Sequence, residues 1–448
     1  MPLIPEPGMR VPGHGCRRST PRPARCDGRV RIRRPEPGES GWTIDRGHHG
    51  RRPHGSAARR ASAHGDREGG RRMTTLRVIA DHLISGPTDV PDGYSVAIAR
   101  AIIATTPEGC DVEAIVPGGS DDLVSQVRAE LAGLSEVQPT SLSTRGLAMA
   151  WSLGAIASSG RGLVHAPGLR APLRSHDRAR GDQISVTVHD TLAWTTPSAI
   201  GRDAVTVRKA FLRRARRFAD AIVVPSHAVA DQLAEIADFG DRIRVIAGAG
   251  SIGLTVPADA DRRAAALELP TRFILAEGSL GAGDGVTELI TGLRRSDPGL
   301  PLLVLGADAT VPDGTEHDEL RADVESGRVR LLGELGPEDR AVVLDRAAVY
   351  VFPGIEAGFG APIIDALRFG LPVVHSDAPA LVELVGEAGI SVQRGDADSY
   401  PELLSSAVAA IIGDDERAAR LRIVGSDRAK AFTWRDAGER IWQLHADL

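Results

Sequence analysis

The 448-residue chain is too long for one core and predicts two domains plus extra segments; 42% apolar residues suffice to build them, and with only 4% aromatic the interiors should be packed from Ala, Val, Leu and Ile, as in α/β layers. The formal net charge of −5 conceals an asymmetry, because residues 1–72 hold about 17 Arg against about 7 acidic residues and the remainder is correspondingly acidic. No apolar run approaches the ~20 residues of a membrane span and no secretory signal follows the N-terminal arginines, so a cytoplasmic protein is expected.

Residues 1–72 are rich in Arg, Pro, Gly and His with almost no apolar periodicity, and are expected to be disordered. The segment has no Lys and a single Trp42, unlike a nucleic-acid arm, so no nucleic-acid partner is expected. A strand pattern starts directly at Met73, which reads as the true start, the upstream segment looking like over-extended translation. Cys16 and Cys26 fall in this region and Cys110 stands alone, which predicts neither a disulfide framework nor a zinc site and makes Cys110 a small core residue.

From Met73 apolar runs alternate with helical patterns. "LRVIAD" reads as a strand, "YSVAIARAIIATTP" as a helix, "DVEAIVPG" as a strand and "LVSQVRAELAGL" as a helix; "GLVHAP" and "ISVTVHD" are strands, "VTVRKAFLRRARRFA" a helix, "DAIVVPS" a strand, "HAVADQLAEIADF" a helix and "RIRVIAG" a strand. A linker follows, and the pattern restarts with "FILAEG", "GVTELITGLRR", "LPLLVLG", "VRLLGE", "PEDRAVVLDRA" and "VYVFPG", continuing through "LPVVHSD" and "ISVQRG" to terminal helices. The fold class is α/β, with two tandem doubly wound Rossmann-like domains over 73–256 and 257–430, a last segment at 431–448, and a cleft between the two sets of strand ends where ligands of such folds bind.

The stretch "EAGFGAPIID", residues 356–365, follows one of these strands. Pro362 fits the first helical position, so amides near Gly360 and Ala361 point out of a helix entrance that suits a phosphate. Gly358 and Gly360 lack a β-carbon and let a ligand approach the backbone. Asp365, one turn in, either sits beside that ligand or only complements the helix dipole, a contribution of about 0.3 to 1 kcal/mol.

The run from "VRLLGELGPEDR" through "GEAGISVQRGDADSY" closely resembles the donor-binding half of the retaining nucleotide-sugar glycosyltransferases of family 4, and "VHAPGLRAPLR", "ISVTVHDTLAWTTP" and "ADAIVVPSHAVADQLAEI" resemble the same family in the first half. The resemblance spans nearly all of 73–448 and implies a GT-B fold, with the helix in "FTWRDAGERIWQLHADL" returning to the first domain. It further implies a metal-independent transferase that moves a glycosyl group from a nucleotide diphosphate sugar to a hydroxyl acceptor with retention, for polysaccharide, glycolipid or cell-envelope glycan synthesis. The nucleotide sugar would be substrate, with no cofactor, and the partners would be a glycan or lipid acceptor. Residue by residue, Gly358, Phe359, Gly360 and Pro362 match the family's donor turn around Ala361, Asp365 replaces its second Glu, and Ala357 occupies the place of the first. Glu356 carries that charge one position earlier, facing away. His189 matches the cleft histidine; as an alternative it only caps a strand end. Gly278, Ser279 and Asp284 lie in the strand-loop-helix unit that faces the donor diphosphate, with Ser279 and Asp284 where the family places Arg and Lys. "SGPTDVPDGYS" keeps Gly93 and Tyr94 of the loop after the first strand.

These departures keep a second reading open, a catalytically impaired paralogue that binds an active glycosyltransferase; an epimerase of the same fold fits the glycine and acid pattern less well. The Asp-x-Asp triplets at 259–261 and 396–398 read as linker or helix-start acids, and no metal site is expected. Arg208, Lys209, Arg213, Arg214, Arg216 and Arg217 surround Phe211 and Phe218 on one helix, which reads as a solvated amphipathic helix or as a surface for transient contact with an anionic membrane at its inner face.

Overall fold

The computed structural model describes residues 74–80, 90–91, 93–119, 121–155, 162–281, 283–306, 310–311, 314–354, 358–395 and 398–448. The N-terminal extension, the start at Met73 and the candidate Glu356 lie outside the described residues.

The first set of strands is β1 (Thr74–Ile79), β2 (Cys110–Val116), β3 (Glu136–Pro139), β4 (Leu163–Ala166), β5 (Gln183–Thr187), β6 (Ala221–Val224) and β7 (Ile243–Val245). They form one sheet in the order β3-β2-β1-β4-β5-β6-β7, every pairing parallel. The second set is β8 (Ile274–Glu277), β9 (Leu302–Leu305), β10 (Val329–Gly333), β11 (Val349–Phe352), β12 (Val373–Ser376) and β13 (Gly389–Val392), in the order β10-β9-β8-β11-β12-β13, again parallel throughout. Parallel strands are covered by helices on both faces, so their sequences are continuous apolar runs: every residue of β6 and of β9 is buried. Strand order reverses between β1 and β4 and between β8 and β11, and loops at such switch points diverge to open a crevice.

The expected two-sheet architecture is found. Besides the one-turn helix Leu192–Thr195 and a short helix at Ala260–Ala266, inside the expected linker, three elements were not expected from sequence: the strand Glu136–Pro139 and the helices Thr144–Leu153 and Asp318–Glu325. Each is short and nearly patternless, because each buries little. The strand is an edge strand ending in proline, and the helices bury only Leu147 with Trp151 and Leu320 with Asp323.

Two of the contacts that join the halves involve titratable side chains with shifted pKa values. The closing helix Trp434–Asp447 follows the second sheet in sequence and packs on the helix Tyr94–Ala104 of the first. A β-carbon at Gly438 would lie 2.5 Å from the Ala101 carbonyl oxygen, so only glycine allows this approach, and Trp442 Nε1 donates to the Ile102 carbonyl at 2.9 Å. The helix is also tied by buried polar groups: His445 lies 2.9 Å from Gln183 Oε1 and 3.0 Å from Ser185 Oγ, which in turn lies 2.9 Å from His165 Nδ1. Burial pushes His445 down to about 4 and His165 down to about 3. The second contact is a carboxylate. Glu383, on the helix Pro379–Val385, accepts from the backbone amides of His227 at 2.9 Å and Ala228 at 3.0 Å and meets His227 Nδ1 at 2.8 Å. It therefore caps the positive end of the helix His227–Ile236 from across the cleft. Although desolvation opposes ionisation, the amide and ring of His227 and the amide of Ala228 hold this carboxyl below its ordinary value of 4.5.

Both contacts have a pH signature. The folded state keeps His445 neutral where the unfolded chain protonates it, so this stability is fully present above pH 6.5 and is lost as pH falls toward 4. His445→Gln should flatten the acid slope of stability by about one proton, read as urea midpoints from about pH 7 to about pH 4.5; an unchanged slope would show that His445 titrates as an exposed imidazole. Glu383 has the opposite origin and the same sign: its depressed value stabilises above 4.5 and the contribution disappears as pH falls through the folded value. Glu383→Gln should cost about 1 kcal/mol near neutral pH, the side chain being partly solvated, and nothing once the wild-type carboxyl is protonated; a cost constant across pH would mean that packing, not charge, is lost.

Candidate functional site

Strand ends and the loops after them enclose a cavity of about 700 Å³. Its wall on the first sheet includes Tyr94, His189, Asp190 and Thr191, its back is residues 248–252, and its wall on the second sheet includes Phe352, the turn 358–362, Ala378, Pro379 and Arg394. A volume in this range holds a ligand of a few hundred daltons.

His189 follows β5 and is 6% exposed. Its Nε2 lies 2.7 Å from the Pro167 carbonyl and so donates to it, which fixes the ring. Tyr94 meets the imidazole edge-on at 4.4 Å between centroids, and Trp434 meets Tyr94 at 5.4 Å. A β-carbon at Gly248 would touch Trp434, Tyr94 and Phe359 at 3.3 to 3.6 Å, so these rings converge on one glycine. The next residue, Asp190, is held by Arg208, whose Nη1 donates to both carboxylate oxygens at 2.8 and 3.1 Å. Thr191 donates to Gln232 Oε1 at 2.7 Å.

Opposite stands the glycine turn. A β-carbon at Gly358 would lie 1.8 Å from the His189 carbonyl oxygen, and the Gly358 carbonyl accepts from Ser226 Oγ at 3.0 Å. Glycine is thus required for the turn to reach His189. Gly360, at φ 86°, caps the helix Ala361–Arg368, with Pro362 in its first turn, and Gly360, Ala361 and Pro362 all line the cavity. The structure brings His189, Gly358, Phe359, Gly360, Ala361 and Pro362 together in one wall system.

Other candidates are placed elsewhere. Asp365 is 1% exposed and does not line the cavity. Its oxygens accept from Ser251 N at 2.8 Å and Ser251 Oγ at 2.6 Å, and Arg368 donates to the Ser251 carbonyl at 3.0 Å. Burial raises its pKa while the two Ser251 bonds oppose the rise. The expectation that Asp365 accepts ligand hydroxyls is therefore corrected: it anchors residues 250 and 251, which do line the cavity. Gly278, Ser279 and Asp284 also stand outside the lining. Ser279 donates through its amide at 2.8 Å and its hydroxyl at 2.5 Å to Asp284 Oδ2, closing the loop on itself. The loop adjoins the cavity wall, since a β-carbon at Gly285 would lie 2.3 Å from the Pro353 carbonyl oxygen.

Asp259 pairs with Arg262 and Arg263, and Asp261 with Arg346, so that triplet is engaged by arginines; Asp396 and Ala397 of the other lie outside the described residues. On the basic helix Arg202–Phe218, Arg208 and Arg214 turn inward, to Asp190 and the Leu173 carbonyl, while Arg213, Arg216 and Arg217 are exposed. Sequence reasoning missed Arg394, Trp434 and Glu383. Nothing local marks them, because each reaches the cleft from a different element.

The family described as Glycosyltransferase Family 4 matches residues 92–249, and that described as Glycosyl transferases group 1 matches residues 274–410; together they span more than half of the chain. The O-antigen chain mannosyltransferase B of Escherichia coli is 34% identical over 125 residues, covering 27% of this chain and 32% of that protein. The D-inositol 3-phosphate glycosyltransferase of Corynebacterium diphtheriae is 25% identical over 221 residues, 46% of this chain and 51% of that protein. The chain thus spans about half or less of the length of these curated relatives. Among solved structures, HepE from Anabaena in complex with UDP-glucose superposes with a TM-score of 0.60 at 19% identity, over 84% of this chain and 100% of that one. Sucrose-phosphate synthase from Thermosynechococcus elongatus gives 0.58 at 20% identity, over 84% and 98%. The two sheets with a cavity between their strand ends, and the family matches on both halves, establish that the chain belongs to the family 4 glycosyltransferases and has the GT-B fold.

Proposed function

We propose that the protein transfers a glycosyl group from a nucleotide diphosphate sugar to a hydroxyl acceptor with retention of anomeric configuration, without a metal. The observation that carries this reading is the turn 358–362, which leans on His189 and presents a helix entrance to the same cavity. The bond from the anomeric carbon to the diphosphate oxygen breaks and a bond to the acceptor oxygen forms. The acceptor proton leaves on the departing phosphate. Negative charge grows on the diphosphate in this step, and the positive end of the helix Ala361–Arg368 opens into the same cavity.

His189 is assigned to the sugar being transferred. Its ring is locked by Pro167 and Tyr94, so it contributes a fixed surface at no ordering cost during the reaction. The acceptor hydroxyl enters along Asp190, Thr191 and Thr195, on the first-sheet side of the same cavity. A site on the inner face of a membrane, reached through the exposed arginines of Arg202–Phe218, would suit a lipid acceptor.

The test is calorimetric titration of UDP-, GDP- and ADP-sugars against the purified full chain, with UDP-glucose first, followed by release of nucleoside diphosphate in the presence of candidate acceptors. Micromolar binding of one donor, with turnover, is expected; failure of all three to bind would overturn the reading. His189→Ala should lower turnover by about 100-fold or more with the unfolding midpoint within about 1 kcal/mol of wild type. Full activity in that variant would remove His189 from the reacting centre.

A further inference from the structure

The charged side chains of the cavity wall are paired within the protein. Arg100 Nη2 meets Glu130 at 2.7 Å, Arg208 Nη1 donates to Asp190 at 2.8 Å, and Arg394 Nε donates to Asp377 at 2.5 Å. Neutral polar side chains of the wall are bonded inside the protein as well: Thr195 Oγ1 donates to the Thr191 carbonyl at 3.2 Å, Ser251 Oγ to Asp365 at 2.6 Å and Trp434 Nε1 to the Gly250 carbonyl at 2.7 Å. Gln232 differs from these, because it is bonded at one end of its carboxamide only.

Gln232 lies on the helix His227–Ile236, one turn after Ala228, whose amide is held by Glu383 from the second sheet. The helix is therefore fixed close to the point where this side chain leaves it. Gln232 Oε1 accepts from Thr191 Oγ1 at 2.7 Å. Thr191 is 3% exposed, and a buried hydroxyl needs an acceptor for its proton, so this bond sets which way the carboxamide is turned. Among the described residues Nε2 has no hydrogen-bond partner. Its two N–H bonds are left for a ligand in the cavity, which Gln232 lines together with Thr191, Thr195 and Pro225.

We propose that Gln232, turned by Thr191, donates to a hydroxyl of the acceptor, and that this acceptor is an uncharged sugar or polyol. The inference rests on the reading of the cavity as a glycosyl-transfer site with the acceptor on its first-sheet side. The two N–H bonds of a carboxamide can each meet one oxygen, as neighbouring hydroxyls present them. A phosphate or carboxylate on the acceptor would enter a wall whose arginines already have carboxylate partners, so the cost of its desolvation would not be offset. A hydroxyl loses less on leaving water, and one amide donor offsets that loss.

The experiment measures release of nucleoside diphosphate by the full chain as wild type, Gln232→Leu and Gln232→Glu, using whichever UDP-, GDP- or ADP-sugar binds. Methyl glucoside, methyl mannoside and myo-inositol are the neutral acceptors, and glucose 6-phosphate and mannose 6-phosphate the anionic ones. Wild type should turn over at least one neutral acceptor in preference to both phosphorylated ones. For that acceptor Gln232→Leu should lower kcat/KM by about 10-fold, chiefly through KM, while donor affinity without acceptor, read by calorimetry, stays within about twofold. Gln232→Glu keeps an acceptor for the Thr191 hydroxyl and removes the donor, so it should lose as much. A wild-type acceptor KM in either variant would overturn the role of Gln232, and an equal loss of donor affinity would overturn it by placing the side chain on the donor. A preference of wild type for a phosphorylated acceptor, or turnover of none of the neutral ones, would overturn the acceptor class while leaving donor binding intact. Failure of all three donors to bind would overturn the transferase reading and this inference together.

Discussion

The cleft depends on one buried carboxylate. Asp365, on the second-sheet helix, holds both the amide and the hydroxyl of Ser251, and residues 248–252 carry the chain out of the first sheet and form the back of the cavity. A carboxylate 1% exposed is costly unless its oxygens are bonded, so the crossing segment and the acid require one another. A β-carbon at Gly250 would lie 2.2 Å from Asp365 Oδ1, so any other residue there would push the carboxylate off Ser251. The same cavity is lined by the turn whose Gly358 lies so near the His189 carbonyl that a β-carbon is excluded.

Around this anchor, other groups make contact across the cleft by saturating donors rather than by apolar area alone. Trp434 Nε1 donates to the Gly250 carbonyl at 2.7 Å, Ser226 joins the Gly358 carbonyl, and Glu383 occupies the amides at the start of His227–Ile236. Ser226 has two tasks, accepting from the Val229 amide at 3.2 Å and donating across the cleft. Each contact fixes the direction of a backbone group at the cavity edge. The result is a first-sheet wall of rings and matched charges facing a second-sheet wall of glycine, proline and alanine that carries a helix entrance and the paired Arg394 and Asp377 at its edge.

The sequence by itself determined the fold class. Continuous apolar runs of four to six residues, alternating with helical periodicity and restarting after residue 257, admit little besides two parallel sheets, because strands covered on both faces lose the alternation of an exposed sheet. It also determined the local character of 358–362: two glycines ahead of a proline that starts a helix describe a tight approach whatever surrounds it. Short elements such as Glu136–Pro139 escaped because they bury too little to leave a pattern.

What only the tertiary structure decided was which polar residues face the cavity. Asp365 reads as a ligand group in one dimension, and in three its oxygens are taken by a serine 114 positions earlier. Ser279 and Asp284 read as altered ligand contacts and are found bonding to each other, outside the lining. Arg394, Glu383 and Trp434 carry no motif, yet each reaches the cleft or joins its two sides. The physical reason is that a side chain's partner is set by distance in space: Asp365 with Ser251, Glu383 with His227 and Trp434 with Gly250 are each more than a hundred residues apart and leave no periodic trace, and even the five-residue bond of Ser279 with Asp284 depends on how the loop closes.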